Sequence, residues 1–204
     1  MANQYQLTLK NNSAMNWTFY VYQQVPNQAS SNVFSLAWFA SPYTMAKDTQ
    51  ITFYWDIQYG FVWGDCGEVM PGVTFNASGG FPADLISSNT TVFSDYNNTP
   101  TLSMPTSGHP SGSLVISDAA NVPNNVFTVG ISMSGAGTFV TPAGPNLTHT
   151  FTPTPTYWIA AGTDVKVGTI LDITTVNQNI EVQFPVNTYA LTYTLGQDNK
   201  WVVE

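Results

Sequence analysis

Apolar and polar residues alternate with a period of two along most of the chain. Trp17, Phe19 and Val21 face one way while Thr18, Tyr20 and Tyr22 face the other. Phe34, Leu36 and Trp38 repeat the pattern, and Ile51, Phe53, Trp55 and Ile57 are set against Thr52, Tyr54, Asp56 and Gln58. Further along, Phe127-Val129-Ile131-Met133, Ile180-Val182-Phe184 and Tyr189-Leu191-Tyr193-Leu195 do the same. Successive side chains of a strand point to opposite faces, so each run predicts a strand with one face on a core. The helical i, i+3, i+4, i+7 spacing is absent from every stretch long enough to show it.

Short clusters of turn formers separate the runs: Pro26-Asn27, Ser41-Pro42, Lys47-Asp48, Pro71-Gly72, Gly79-Gly80, Asn97-Asn98, Ser107-Gly108, Asn124-Asn125 and Gly196-Gln197-Asp198-Asn199. Strands punctuated this way predict an all-β antiparallel sandwich, with a barrel-like closure as the variant. At 204 residues the whole chain, 1–204, fits a single domain. Tyr5-Gln6-Leu7-Thr8 precedes Trp17 by the spacing at which Tyr189-Ala190-Leu191-Thr192 precedes Trp201. Each copy reads as strand, turn, strand, and the two termini are expected to pair as neighbouring hairpins. The Pro/Ser/Thr/Gly-rich stretches 99–112 and 141–156 read as the least structured segments, where binding on a sandwich usually resides.

Charge narrows the range of partners. Only 8% of residues are charged, with four lysines, no arginine and twelve carboxylates, for a net charge of −8. Four scattered lysines build no basic stripe, so neither nucleic acid nor an anionic membrane is an expected partner. No apolar run reaches the roughly 18 residues of a spanning helix. The N-terminal residues show neither a basic nor an apolar signal region, so a cytoplasmic address is expected. Cys66 is the single cysteine, which excludes an internal disulfide.

Candidate chemistry is sparse. His109 and His149 are the two imidazoles, and without His-x-His or His-x3-His spacing no metal site and no cofactor is expected; both read as surface residues. Cys66 lies between Asp65 and Glu68, which disfavour a thiolate, so it reads as inert. Gly130-Ile131-Ser132-Met133-Ser134-Gly135 misses a Gly-x-Ser-x-Gly elbow by one residue and reads as a strand. A carboxylate pair for glycoside hydrolysis would come from Asp56 with Asp65 or Glu68, close to aromatic residues. Calcium on the same carboxylates lacks EF-hand spacing.

The aromatic residues, 14% of the chain, carry more. Tyr20, Tyr22, Phe39, Tyr54 and Tyr59 fall on or near the face opposite the predicted core. Exposed Tyr beside Asn, Gln and Asp stacks and hydrogen-bonds sugar rings, so Tyr20, Tyr22, Tyr54 and Tyr59 are the expected ligand contacts for a glycan or other small molecule. The competing reading makes them core or interface. A homo-oligomer, most simply a two-fold dimer through the face of Tyr20, Tyr22 and Tyr54, would bury such a surface, as would a loop from the Pro/Thr-rich region crossing it.

The segments Leu9-Lys10-Asn11-Asn12-Ser13, Trp17 to Gln23, Val33 to Phe39, Tyr59 to Gly64 and Pro71-Gly72-Val73 resemble the rhizosphere-induced RhiA family of bacteria, over roughly the first 80 residues. The resemblance implies an abundant soluble protein of bacteria living around plant roots, under quorum-sensing control. It supports the cytoplasmic address and brings no reaction or catalytic residue with it. Two functions follow as expectations: a non-enzymatic binding or interaction protein, or a carbohydrate-active hydrolase using the carboxylates above.

Overall fold

The structure is a computed structural model that describes residues 4–24, 32–108 and 110–204. The turn expected at Pro26-Asn27 and His109 lie outside the described residues. The strands are β1 (Tyr5–Asn11), β2 (Thr18–Gln23), β3 (Phe34–Ala40), β4 (Thr49–Trp55), β5 (Tyr59–Gly64), β6 (Gly79–Ala83), β7 (Thr90–Asp95), β8 (Pro100–Leu102) and β9 (Leu114–Asp118). They continue as β10 (Thr128–Met133), β11 (Ala136–Pro142), β12 (Thr148–Phe151), β13 (Tyr157–Gly162), β14 (Ile170–Leu171), β15 (Asn179–Val182), β16 (Ala190–Leu195) and β17 (Trp201–Val203).

A nine-stranded sheet in the order β15-β13-β2-β3-β11-β10-β5-β6, with β14 added beside β3, forms one layer. Two four-stranded sheets, β17-β16-β1-β4 and β12-β9-β7-β8, pack on it. The first buries Leu7, Leu9, Trp55, Leu195 and Trp201 against Phe19, Val21, Trp38 and Ile159 of the large sheet. The second buries Phe93, Leu114, Ile116 and Phe151 against Phe61, Val129, Ile131 and Phe139. Met133 belongs to the first cluster, Val129 and Ile131 to the second, and all three share one face of β10. Both small sheets therefore cover the same face of the large one. The sandwich expectation holds, and the large sheet stays open between β15 and β6 rather than closing into a barrel.

The internal echo has a spatial counterpart. β1 and β16 pair in parallel, with Leu7 opposite Leu191 and Thr8 opposite Thr192, so equivalent residues of the two copies sit side by side. β16 and β17 form the expected hairpin, but β1 and β2 belong to different sheets. The chain turns that corner on Asn11, whose Nδ2 donates to the carbonyls of Met15 and Met45, each at 2.8 Å, while its Oδ1 accepts the Ser13 amide and hydroxyl. Trp17 Nε1 donates to Ser13 Oγ at 3.1 Å, which seats the large side chain just before β2.

Two alternations break. Between β2 and β3 the register slips by one residue, pairing Val21 with Phe39 but Tyr22 with Ala37. The bulge turns Trp38 and Phe39 onto the same core, their ring centroids 4.2 Å apart, while Leu36 packs with Val62 and Val140 on the opposite face. β4 ends at Trp55, so Ile57 is 43% exposed instead of continuing the core stripe. The stretches read as loops hold β8 and β12. The first is pinned by the buried Asn89, whose Nδ2 lies 3.1–3.3 Å from the carbonyls of Gly108, Pro110 and Ser113 and whose Oδ1 accepts the Gly108 amide.

Candidate functional site

The remaining face of the large sheet is covered by two segments: the chain between β5 and β6, with Val69, Val73 and Phe75 on Leu36, Val62 and Val140, and the chain between β13 and β15. The second segment, 163–178, lacks a period-two pattern but lays Val165, Leu171, Ile173 and Val176 onto Tyr20, Tyr22, Ala37 and Ala160. Its path is fixed by backbone contacts: Gly168 N donates to Ala37 O, Ala37 N to Thr169 O, and Phe75 N to Gly168 O, at 2.8–2.9 Å. Gly168 has φ +84°, and a Cβ there would sit 2.3 Å from the Phe75 carbonyl oxygen, so both conformation and space require glycine. Beyond β14, Asp172 Oδ1 accepts the Thr174 amide and hydroxyl at 3.0 and 2.6 Å and closes a turn. Asn179 Nδ2 then donates to Val176 O at 2.9 Å and to the Tyr22 hydroxyl at 3.3 Å.

Tyr20 and Tyr22 are thus 4% and 2% exposed, removed from solvent by their own chain. Burial pushes both phenols up to about 12, helped at Tyr20 by its neighbour Tyr22 and opposed at Tyr22 by the Asn179 hydrogen bond. The expected surface of Tyr20, Tyr22 and Tyr54 does not exist as one face: Tyr54, 53% exposed, is on the outer side of the sheet β17-β16-β1-β4. The cover comes from 163–178 and not from the Pro/Thr-rich stretches. Tyr59 is half-buried where the two cores meet, and burial raises its phenol.

The cover does not lie flat. Between it and the sheet is a groove of about 610 Å³, with Trp17, Tyr20 and Ala161 lining the sheet side and Asp164, Asp172, Thr175, Asn177 and Gln178 the wall. The lining carries two carboxylates and no cationic side chain. Trp201 Nε1 donates to Gln178 O at 2.7 Å, tying the end of the wall to the opposite core, and Gln178 Oε1 is buried without a protein partner. Among the expected contacts, the groove takes in Tyr20; Tyr22, held by Asn179, lies outside its lining. The wall residues escaped the sequence reading because they alternate with nothing; the sign of them is an apolar set, Val165, Ile170, Leu171, Ile173 and Val176, in a segment with no strand period.

The carboxylates proposed for hydrolysis are not gathered. Asp56 precedes β5, and Asp65 and Glu68 follow it. Six strand residues span roughly 17–20 Å, beyond the ~5–10 Å over which two carboxylates can serve one glycosidic bond. Asp65 and Glu68 are both exposed in a turn. Cys66 packs against an apolar cluster with Sγ 3.0 Å from Thr128 Oγ1. No metal-holding group of His, Cys, Asp and Glu occurs among the described residues.

His149 differs from expectation: it is 6% exposed, with Nε2 2.9 Å from Asp118 Oδ2. It shares a strand face with Phe151, so the same alternation that suggested a surface residue carries it inward. Asp118 Oδ2 also accepts the Gly144 amide at 2.9 Å, making the pair a clasp between β9, β12 and the turn after β11. The groove lies on the other face of the large sheet.

The RhiA family profile matches residues 2–204, well beyond the N-terminal stretch that carries the visible resemblance. Protein RhiA of Rhizobium leguminosarum bv. viciae is 55% identical over 198 residues, spanning 97% of this chain and 85% of that protein. No solved structure matches the chain. By the extent of the profile match and the identity to this relative, the chain belongs to the RhiA family.

Proposed function

We propose that this RhiA-family protein is a non-enzymatic binding protein whose groove takes a small polyhydroxylated ligand, a short oligosaccharide or a plant-derived small molecule. The observation that carries the reading is the groove itself. Its volume of about 610 Å³ lies within the usual range for small-molecule sites, roughly 300–1,000 Å³. Its lining mixes a buried aromatic floor with carboxylates, amides and hydroxyls, the groups that hydrogen-bond a sugar's hydroxyls. Two carboxylates without a cation disfavour an anionic ligand and favour a neutral or hydrogen-donating one.

The ligand on this reading meets the edge of the floor and the polar wall. Trp17 and Tyr20 are too deeply set for a ring to stack on their faces. Hydrolysis is disfavoured because the length of β5 separates Asp56 from both Asp65 and Glu68. Isothermal titration with a panel of neutral oligosaccharides and plant phenolic glycosides tests the proposal. Saturable heat at micromolar to millimolar ligand is expected, and flat isotherms across the panel at millimolar ligand refute it.

A further inference from the structure

The outer face of the sheet β17-β16-β1-β4 is a second surface with a different chemistry. Strand registers place Thr52, Thr8 and Thr192 in one row across three strands, with Thr8 Oγ1 2.9 Å from Thr52 Oγ1. The row on one side holds Tyr54, Gln6 and Ala190, and the row on the other Gln50, Lys10 and Thr194. Lys10 and Glu204 neutralise each other on this face, with Nζ and Oε2 2.6 Å apart, and Asp48 adds one carboxylate at the recess beyond them. In a chain of net charge −8 the strand rows are locally neutral, rich in hydroxyls and amides, and carry an exposed aromatic ring at one end of β4. At the other end of the same strand, a recess of about 370 Å³ opens beside Gln50, Lys10 and Thr194.

We propose that this face is a platform for an uncharged polysaccharide ribbon, of the flat kind formed by β-1,4-linked neutral hexoses, lying along β4 from Tyr54 to the recess. Tyr54 offers a ring for stacking a sugar face. Thr8 in the middle is buried, and Gln6, Gln50, Thr52 and Thr192 around it offer donors and acceptors at the strand spacing of ~4.8 Å. The strand rows have no net charge to attract a charged polymer, and Asp48 at the recess, with the protein's overall negative charge, repels an acidic one. Size argues against a second copy of the chain as occupant: four strands of up to seven residues cover roughly 400 Å², about half the ~800 Å² per partner of a stable protein interface. A single polymer chain needs only a narrow strip.

Retention of the full-length protein on insoluble matrices tests this, with microcrystalline cellulose and insoluble mannan as neutral probes and cross-linked polygalacturonate as the acidic one. Retention is expected on at least one neutral matrix, to persist in roughly 1 M salt, and to be absent on polygalacturonate. Tyr54→Ala, at an exposed position that the fold tolerates, is expected to cut retention about tenfold. Asn177→Trp, which fills the groove, is expected to leave it unchanged, so this platform and the groove stand or fall separately. No retention on either neutral matrix overturns the proposal, as does equal retention on polygalacturonate or loss with Asn177→Trp but not Tyr54→Ala. Light scattering supplies a further arm: a dimer mass that Tyr54→Ala reduces to a monomer assigns the face to self-association and overturns it too.

Discussion

Asn11 Oδ1 accepts the Ser13 hydroxyl at 2.7 Å, and both side chains are fully enclosed at the corner where the chain passes from one sheet to the other. The same carboxamide satisfies the Met15 and Met45 carbonyls. Asn11→Ala leaves the buried Ser13 amide without its acceptor and takes one of two donors from each of the Met15 and Met45 carbonyls, and buried groups left unpaired cost about 1–3 kcal/mol. A loss of about 2 kcal/mol in urea-induced unfolding is expected. An unchanged midpoint would mean that the corner is held by its backbone alone.

Gly130 sits in the middle of the large sheet, where an added Cβ would lie 2.1 Å from the Phe139 carbonyl oxygen and 2.9 Å from Val140 Cγ1. Backbone cannot yield there without breaking the β10–β11 ladder. Gly130→Ala is expected to cost more than about 4 kcal/mol, or to prevent folding. Gly135→Ala meets open space at φ +79° and is expected to cost about 1 kcal/mol from backbone strain alone. Thermal unfolding of the two variants side by side checks the order.

The Asp118–His149 clasp is structural. Asp118→Ala removes the acceptor for both His149 Nε2 and the Gly144 amide, and a loss of about 1–3 kcal/mol is expected. Ligand affinity in the groove is expected to be unchanged, because the clasp faces the opposite side of the large sheet. A variant of full stability, or one with altered ligand affinity, would count against this assignment.

Tyr157, like Tyr20 and Tyr22, is pushed up to about 12, in each case first by burial. In the unfolded chain these phenols ionise near 10. Between the two values the folded state binds more protons than the unfolded one, so stability is whole below pH 10 and falls as pH rises toward 12. The urea midpoint is therefore expected to drop across that window, with these tyrosines absorbing as phenolate only as the fold is lost. Ionisation of every tyrosine near pH 10 in a still-folded chain would contradict the burial.

The period-two pattern was enough to read the all-β class and most core strands, because one face of each is packed and the other is not. It failed where a residue's face is set by something outside its own strand. The bulge at Trp38 and Phe39 depends on pairing with β2, and one slipped residue reverses every assignment before it. Tyr20 and Tyr22 alternate like outward residues because they are outward on their sheet, and only the later segment 163–178 makes that side an interior. Asp56, Asp65 and Glu68 are near in sequence, yet an extended strand puts chain neighbours far apart. The groove wall gave no periodic signal, since apart from the two residues of β14 it is held by turns and by Gly168 rather than by a ladder.

Calorimetric titration of the wild-type chain and of Asn177→Trp with the same neutral oligosaccharide tests the groove most directly. Asn177 is exposed on the groove's rim, so a bulky side chain there fills the space without disturbing the core. Saturable binding by the wild type, lost in a variant of unchanged melting temperature, is the predicted result. Equal binding by the two proteins, or none by the wild type, would contradict it.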